Sequence, residues 1–207
     1  LHLGSLIAIL LYFRKDLIEI KKNKNLLSLF FFGSLPLFIV GFMIYYSGFI
    51  NYLRNIEIIA WSTLLFGILL YIADKCKINK KIDNNLNFKN IFLIGIFQCL
   101  ALIPGVSRSG ITITSARLIK FNRLDASKIS FYLSIPALLG ASFLGLKEVV
   151  NKDLDFNLII FISLILLFIF SYLTIKYFLI YVQKYSLNIF VYYRIFLALV
   201  LFVIIYS

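Results

Sequence analysis

The run Pro104-Gly105-Val106-Ser107-Arg108-Ser109-Gly110 is a polar island between two apolar stretches, 91–103 and 111–119. A guanidinium among apolar residues is costly unless it faces a cavity and a counter-charge, so Arg108 requires an anion. With a helix starting here, Arg108 and Thr112 lie four residues apart and Ser109 and Thr112 three apart, on one face. Free backbone N–H groups, a positive helix end, the hydroxyls of Ser107, Ser109 and Thr112 and a forked guanidinium then form a cradle for phosphate. Gly105 and Gly110 let the backbone approach such a ligand closely and let the loop adopt positive φ. Gln98, ten residues before Arg108, is a candidate to face the same cavity, although an intramembrane Gln also serves to join helices. The run lacks GxxxxGK[ST], so ATP is not implied. A second reading of the same residues is an N-cap serine followed by an arginine that ties helices together.

The elements that must hold this loop are apolar runs at 1–13, 26–46, 56–73, 91–103 with 111–119, 129–146, 156–181 and 187–206. Most reach the length of about 20 residues needed to cross a bilayer. The two halves around Pro104, thirteen and nine residues long, are each too short for a core of about 30 Å. Pro104-Gly105 and Gly110 interrupt any helix between them. That is the pattern of a re-entrant helix-loop-helix, tolerated at membrane depth only where its backbone is buried in protein or lines a wet cavity. The sequence begins with Leu1, and the run before Arg14 is short for a span, so the first span is expected to be incomplete in it. No signal-peptide pattern is visible there.

Composition sets the class. The chain has 207 residues, of which 62% are hydrophobic, and a mean hydropathy of +0.97, which excludes a soluble globular protein and points to an all-α polytopic membrane protein. The net charge of +12 is read as basic loops facing anionic lipid, and nucleic-acid binding is excluded because no basic groove motif accompanies it. Cys76 lies in a Lys-rich loop and Cys99 in an apolar run, and no CxxC is present, so no redox role follows.

Loop charge gives a threading. Arg14, Lys15, Lys21, Lys22 and Lys24 fill one loop and Lys75, Lys77, Lys80, Lys81 and Lys89 another, and both are expected on the cytoplasmic side. A hairpin over 91–119 that enters and leaves on that side adds Arg117, Lys120, Arg123 and Lys128 to it, places a loop 147–155 outside, and returns Lys184 inside. Leu3 to Ala8 weakly echoes Leu133 to Leu138, an offset of about 130 residues, as in transporter-style repeats. Three spans per copy would invert the second copy, giving an inverted-repeat bundle divided at 1–90 and 91–207. Gly140-Ala141-Ser142 with Gly145 reads as a tight packing face. Tyr12, Tyr45, Tyr46, Tyr132, Tyr192 and Tyr193 read as an interfacial belt.

The residues Gln98 to Thr112, QCLALIPGVSRSGIT, resemble the second signature of the bacitracin-resistance family of undecaprenyl-diphosphate phosphatases, and Ser130 to Ala141 resembles that family's next helix. The resemblance covers essentially all 207 residues. It implies hydrolysis of a C55 polyprenyl diphosphate to the monophosphate in carrier-lipid recycling for the cell wall, in the bacterial plasma membrane, at a site opening to the outer face. Arg108 and Ser107 would be catalytic, and Gly105, Ser107, Arg108, Ser109, Gly110, Thr112 and Gln98 would bind substrate. A divalent cation, Mg2+ or Ca2+, and a homodimer are also expected. The family's Glu-rich helix, Ser-rich loop and His are absent from this sequence, so the metal ligands and nucleophile are expected upstream of Leu1.

The acids present support that division. Asp16, Glu19, Asp74, Asp83, Asp125, Glu148, Asp153 and Asp155 fall in loops or near helix ends, and Glu57 opens a span. None forms the intramembrane carboxylate pair that phosphoryl transfer with a metal would use. His2, the single histidine, is read as packing or interfacial. A competing function is a polyprenyl-phosphate transporter or flippase that binds the phosphate without cleaving it. Lipid phosphatases of the acid-phosphatase type are excluded by the lack of any histidine after residue 2.

Overall fold

The computed structural model describes residues 2–22, 24–48, 50–78, 80–151 and 158–206. The helices are α1 His2–Tyr12, α2 Arg14–Lys22, α3 Lys24–Ser47, α4 Ile50–Leu53, α5 Ile56–Asp74, α6 Ile82–Asn85, α7 Phe88–Cys99, α8 Arg108–Leu118, α9 Arg123–Asn151, α10 Leu158–Lys184 and α11 Asn188–Tyr206. Four segments, Leu26–Ser47, Ile56–Asp74, Phe161–Lys184 and Asn188–Tyr206, are long and apolar enough to cross a membrane. Their outward faces carry exposed Phe31, Phe42, Leu65, Phe161 and Phe196, which lipid accepts and water does not. The chain is an all-α polytopic membrane protein.

Side-chain caps start several of these helices. Asn55 accepts the Glu57 N–H at 3.0 Å, Asn87 accepts that of Asn90 at 2.9 Å, and Asn122 accepts that of Asp125 at 2.8 Å. Each satisfies one of the N–H groups that a first turn leaves open. The Asn122 cap makes Arg123 and Lys128 part of α9 rather than of a loop. At its other end α9 runs through Lys147 to Asn151, where no Gly or Pro follows Gly145 to stop it, so 147–151 are helical where a loop is expected. Its remaining residues, 152–155 with Asp153 and Asp155, lie outside the described residues.

The stretch 91–119 is a hairpin whose base is closed. Lys80 pairs with Phe121 in an isolated parallel bridge, the Lys80 N–H donating to the Lys120 carbonyl and the Asn122 N–H to that of Lys80. The residues before α7 and after α8 therefore meet at one end of the bundle. The α10–α11 connection joins them, since the Leu187 N–H donates to Asp74 Oδ2 at 3.1 Å. So does α2, where Asp16 pairs with Lys128 of α9 at 3.1 Å. The basic loops that charge alone would group are thus gathered at a single end.

The hairpin is wedged between α3, α5 and α9. A Cβ on Gly95 of α7 would overlap the Gly33 carbonyl oxygen of α3, so two glycines bring these backbones into contact, as small residues do in membrane bundles. The tight packing expected at Gly140 to Gly145 is only partly present: Gly140 meets Phe38, while Gly145 has nothing within 4 Å. Tyr132 departs from the interfacial belt. It is 5% exposed, packs edge-on against Phe13 and Phe30 and donates its hydroxyl to Asp16 Oδ2 at 2.7 Å. A carboxylate partner beside the first turns of α9 is what draws this phenol inward.

Further packing joins α5 to α11, α1 to α10, α3 to α9 and α1 to α9.

Candidate functional site

The tip of the hairpin is built from residues that cannot continue a helix. After α7 a 3-10 turn, Leu100–Leu102, tightens the chain before Pro104, and Gly105 follows with φ +90°, a left-handed conformation that favours glycine. A Cβ at Gly105 would also strike Ser62 Oγ and come within 2.6 Å of the Ile59 carbonyl oxygen. The tip is pinned by side chains from two spanning helices. Ser62 of α5 donates to the Pro104 carbonyl at 2.6 Å, Thr63 donates to that of Gly105 at 3.4 Å, and Arg194 Nη2 of α11 donates to the same Gly105 oxygen at 2.7 Å. Ser62 lies six residues from Ile56 and twelve from Asp74, about 9 Å and 18 Å along the helix axis. The tip therefore sits in the interior of the bundle, nearer the end opposite the basic loops.

Ser107 then caps α8, its Oγ accepting the Gly110 N–H at 3.2 Å. The Arg108 and Ser109 N–H groups precede the first carbonyl they could bond within the helix, so the positive end of α8 points into the tip. Ser107 and Ser109 are exposed, with their hydroxyl oxygens 3.2 Å apart. Arg108 Nη1 is buried without a hydrogen-bond partner. Thr112 differs from its neighbours. It is 1% exposed, and its hydroxyl lies 2.9 Å from the Arg108 carbonyl oxygen, 3.1 Å from that of Ser109 and 2.6 Å from Ser130 Oγ. One hydroxyl proton serves one carbonyl at a time, so Ser130 donates to Thr112 and braces the first turn of α8 against α9.

Two cavities meet at this turn. One, of about 370 Å³, is lined by Arg108 together with Ser5 of α1, Ser109, Ser130 and Ser134 of α9, and Ser171 and Thr174 of α10. The other, of about 340 Å³, is lined by Ser107, Ser109, Gly110 and Arg194 and by apolar side chains that include Ile113, Phe178 and Phe190. Ser109, Ser130, Phe131 and Thr174 border both. Phosphate oxygens placed here would meet hydroxyls, helix N–H groups and a guanidinium, each a donor.

The structure thus brings together Gly105, Ser107, Arg108, Ser109 and Gly110. Gln98 is placed elsewhere: it is fully buried on the α7 face that carries Ile91, Ile94 and Gly95, neither amide atom has a partner, and it lines neither of the two cavities. Residues that the motif alone does not reveal are Ser62, Thr63, Ser130 and above all Arg194. The signal for Arg194 is that of Arg108, a cation within an apolar helix. That signal stands in the apolar run 187–206, ten residues after Lys184.

Among the described residues no group of three His, Cys, Asp or Glu side chains converges to hold a metal. The tip offers hydroxyls and cations but no carboxylate, so its residues do not fit a divalent cation, which needs anionic oxygen ligands.

A family description, Bacitracin resistance protein BacA, matches residues 1–200. Among curated relatives, a protein of Pelagibacter ubique (strain HTCC1062) named undecaprenyl-diphosphatase is 57% identical over 208 residues, covering 100% of this chain and 81% of its own length. Proteins of the same name from Elusimicrobium minutum (strain Pei191) and Prochlorococcus marinus (strain MIT 9301) are 39% and 37% identical. They cover 98% and 97% of this chain and 80% and 81% of their own lengths.

Proposed function

Because the chain belongs to the bacitracin resistance protein BacA family, we propose that it hydrolyses undecaprenyl diphosphate to the monophosphate, with the tip of the α7–α8 hairpin binding the diphosphate. The observation that carries this reading is Arg108. Its guanidinium has a buried, unpartnered Nη1, no acid forms an ion pair with it among the described residues, and the first N–H groups of α8 and the exposed Ser107 and Ser109 hydroxyls border the same space. A diphosphate supplies the missing negative charge and acceptors. In the ground state Arg108 and the α8 N–H groups bind and orient the phosphates. As the terminal phosphoryl passes to water, the same donors meet the charge spread over its oxygens. Ser107 and Ser109 add hydroxyl donors at the mouth. Thr112 acts indirectly, by tying the Arg108 and Ser109 carbonyls to α9.

The tip holds no carboxylate, so a divalent cation and the group that activates the nucleophile belong to residues outside it. The relatives named above bear a hydrolase's name, which favours cleavage over transport. The reading extends to an opening on the face away from the basic loops, supported by the short axial distance from Ser62 to Ile56, and to a homodimer. Analytical ultracentrifugation in detergent tests the dimer.

The central test is phosphate release from undecaprenyl diphosphate by Arg108→Ala. Removal of a donor aimed at transition-state charge should lower kcat/KM by about 10²–10³-fold with the thermal midpoint unchanged. Activity within a few-fold of the parent would remove Arg108 from the reaction.

A further inference from the structure

We propose that Arg194 is the second cation of this site and holds the lipid-side phosphate of the diphosphate, while Arg108 holds the terminal one. The inference rests on the diphosphatase reading and adds a substrate contact to it. Arg194 projects from α11 opposite Gly67, where a Cβ would meet its own Cβ at 3.2 Å. From there it reaches Gly105, whose carbonyl accepts Nη2 at 2.7 Å. Its Nη1 lies 3.1 Å from where a Cβ on Gly110 would stand, so it reaches the first turn of α8, which carries Arg108. Arg194 is 8% exposed, and no acid forms an ion pair with it among the described residues. A guanidinium has five N–H donors, and holding one loop carbonyl does not offset the cost of keeping its charge at this depth.

The two cavities divide the substrate. Arg108 opens into the one richer in hydroxyls, from Ser5, Ser109, Ser130, Ser134, Ser171 and Thr174 beside apolar Ile9, Leu138 and Phe170, which suits a phosphate that departs into water. Arg194 opens into the one whose remaining wall is largely apolar, with Leu70, Ile113, Phe178 and Phe190, which suits the phosphate still attached to an isoprenoid. Ser109, on the shared wall, stands where the bridging oxygen of a diphosphate would pass.

The test compares affinities of the purified protein for farnesyl diphosphate and farnesyl phosphate. Arg108→Ala should lose about tenfold or more for the diphosphate, since a charge-assisted contact goes, and keep its affinity for the monophosphate within about twofold. Arg194→Gln should lose about tenfold or more for the monophosphate as well. Unchanged monophosphate affinity in Arg194→Gln would reduce Arg194 to a prop for Gly105 and overturn the inference. Unchanged diphosphate affinity in Arg108→Ala would instead sink the underlying site. Should Arg194→Gln not fold, Arg194→Lys carries the test: with the fork lost, monophosphate affinity falls about three- to tenfold at an unchanged melting temperature. A lower melting temperature with monophosphate affinity intact would overturn the inference there too.

Discussion

The hairpin carries two arginines near its base and brings two together at its tip, and only the base provides them with a carboxylate. At the base, Asp74 of α5 receives Arg123 through Nε at 2.7 Å and Nη2 at 2.9 Å, while Arg117 Nε lies 3.5 Å away. Arg117 spends its other nitrogens on the carbonyls of Phe121, Asp74 and Cys76 at 2.6, 2.8 and 3.1 Å. At the tip, Arg108 and Arg194 have no acid among the described residues. Arg194 bonds one carbonyl, and Arg108 keeps a buried nitrogen without a partner. The same side chain, buried at Arg117 and at Arg194 alike, is therefore a fastener in one place and a receptor in the other. What decides between them is whether the protein itself supplies the anion.

The largest effect that tests this contrast is loss of the base anion. Asp74→Ala leaves Arg117, 1% exposed, as an uncompensated buried cation, and breaking such a pair costs about 3–5 kcal/mol. It also frees the Leu187 N–H and loosens the hold on α11. We expect a large drop in melting temperature in detergent, with activity lost in proportion to the folded fraction. The double variant Asp74→Ala/Arg117→Met should recover part of that loss, because it removes the stranded charge. A melting temperature equal to the parent's in Asp74→Ala would erase the distinction between base and tip.

Next in size is Gly105→Ala. The new methyl meets a φ of +90° and the Ser62 and Ile59 oxygens, and strain of each kind costs of order 1–3 kcal/mol. Because the base fasteners are untouched, the expected outcome is a displaced tip in a folded hairpin. The effect should appear chiefly in kcat for undecaprenyl diphosphate rather than in the melting temperature. A variant that unfolds as readily as Asp74→Ala would show that the tip shares the base's structural role.

How far each region could be read from the sequence follows from the range of its interactions. The tip is local: Pro104, Gly105, Ser107 and Arg108 announce a broken helix and an anion cradle within a few residues of one another. The hairpin itself was also legible, because runs of thirteen and nine residues cannot cross a bilayer. The base is not local. Asp74 and Arg123 are 49 residues apart, and Asp74 read as an ordinary loop acid. Arg194 joins Gly105 across 89 residues, and no periodicity in α11 says which neighbour it will meet. Tyr132 was placed at an interface by its type, whereas a single partner, Asp16, settles it inside. Charge counting worked for the grouping of loops because it depends on composition and not on pairing.

The smallest effect sharpens the contrast within the basic end itself. Asp16 and Lys128 form an ion pair at 3.1 Å, but the two side chains are 36% and 32% exposed, so water already solvates both charges. Such pairs are worth about 0.2–1 kcal/mol and weaken with salt. Lys128→Ala should therefore shift the melting temperature little, and less again at high ionic strength. Asp16 keeps the Tyr132 hydroxyl at 2.7 Å and stays near water, so no bare buried charge is created. A loss as large as that of Asp74→Ala would mean that the anchoring of Tyr132 depends on the lysine. Burial of the partner would then not be what separates a fastening ion pair from an incidental one.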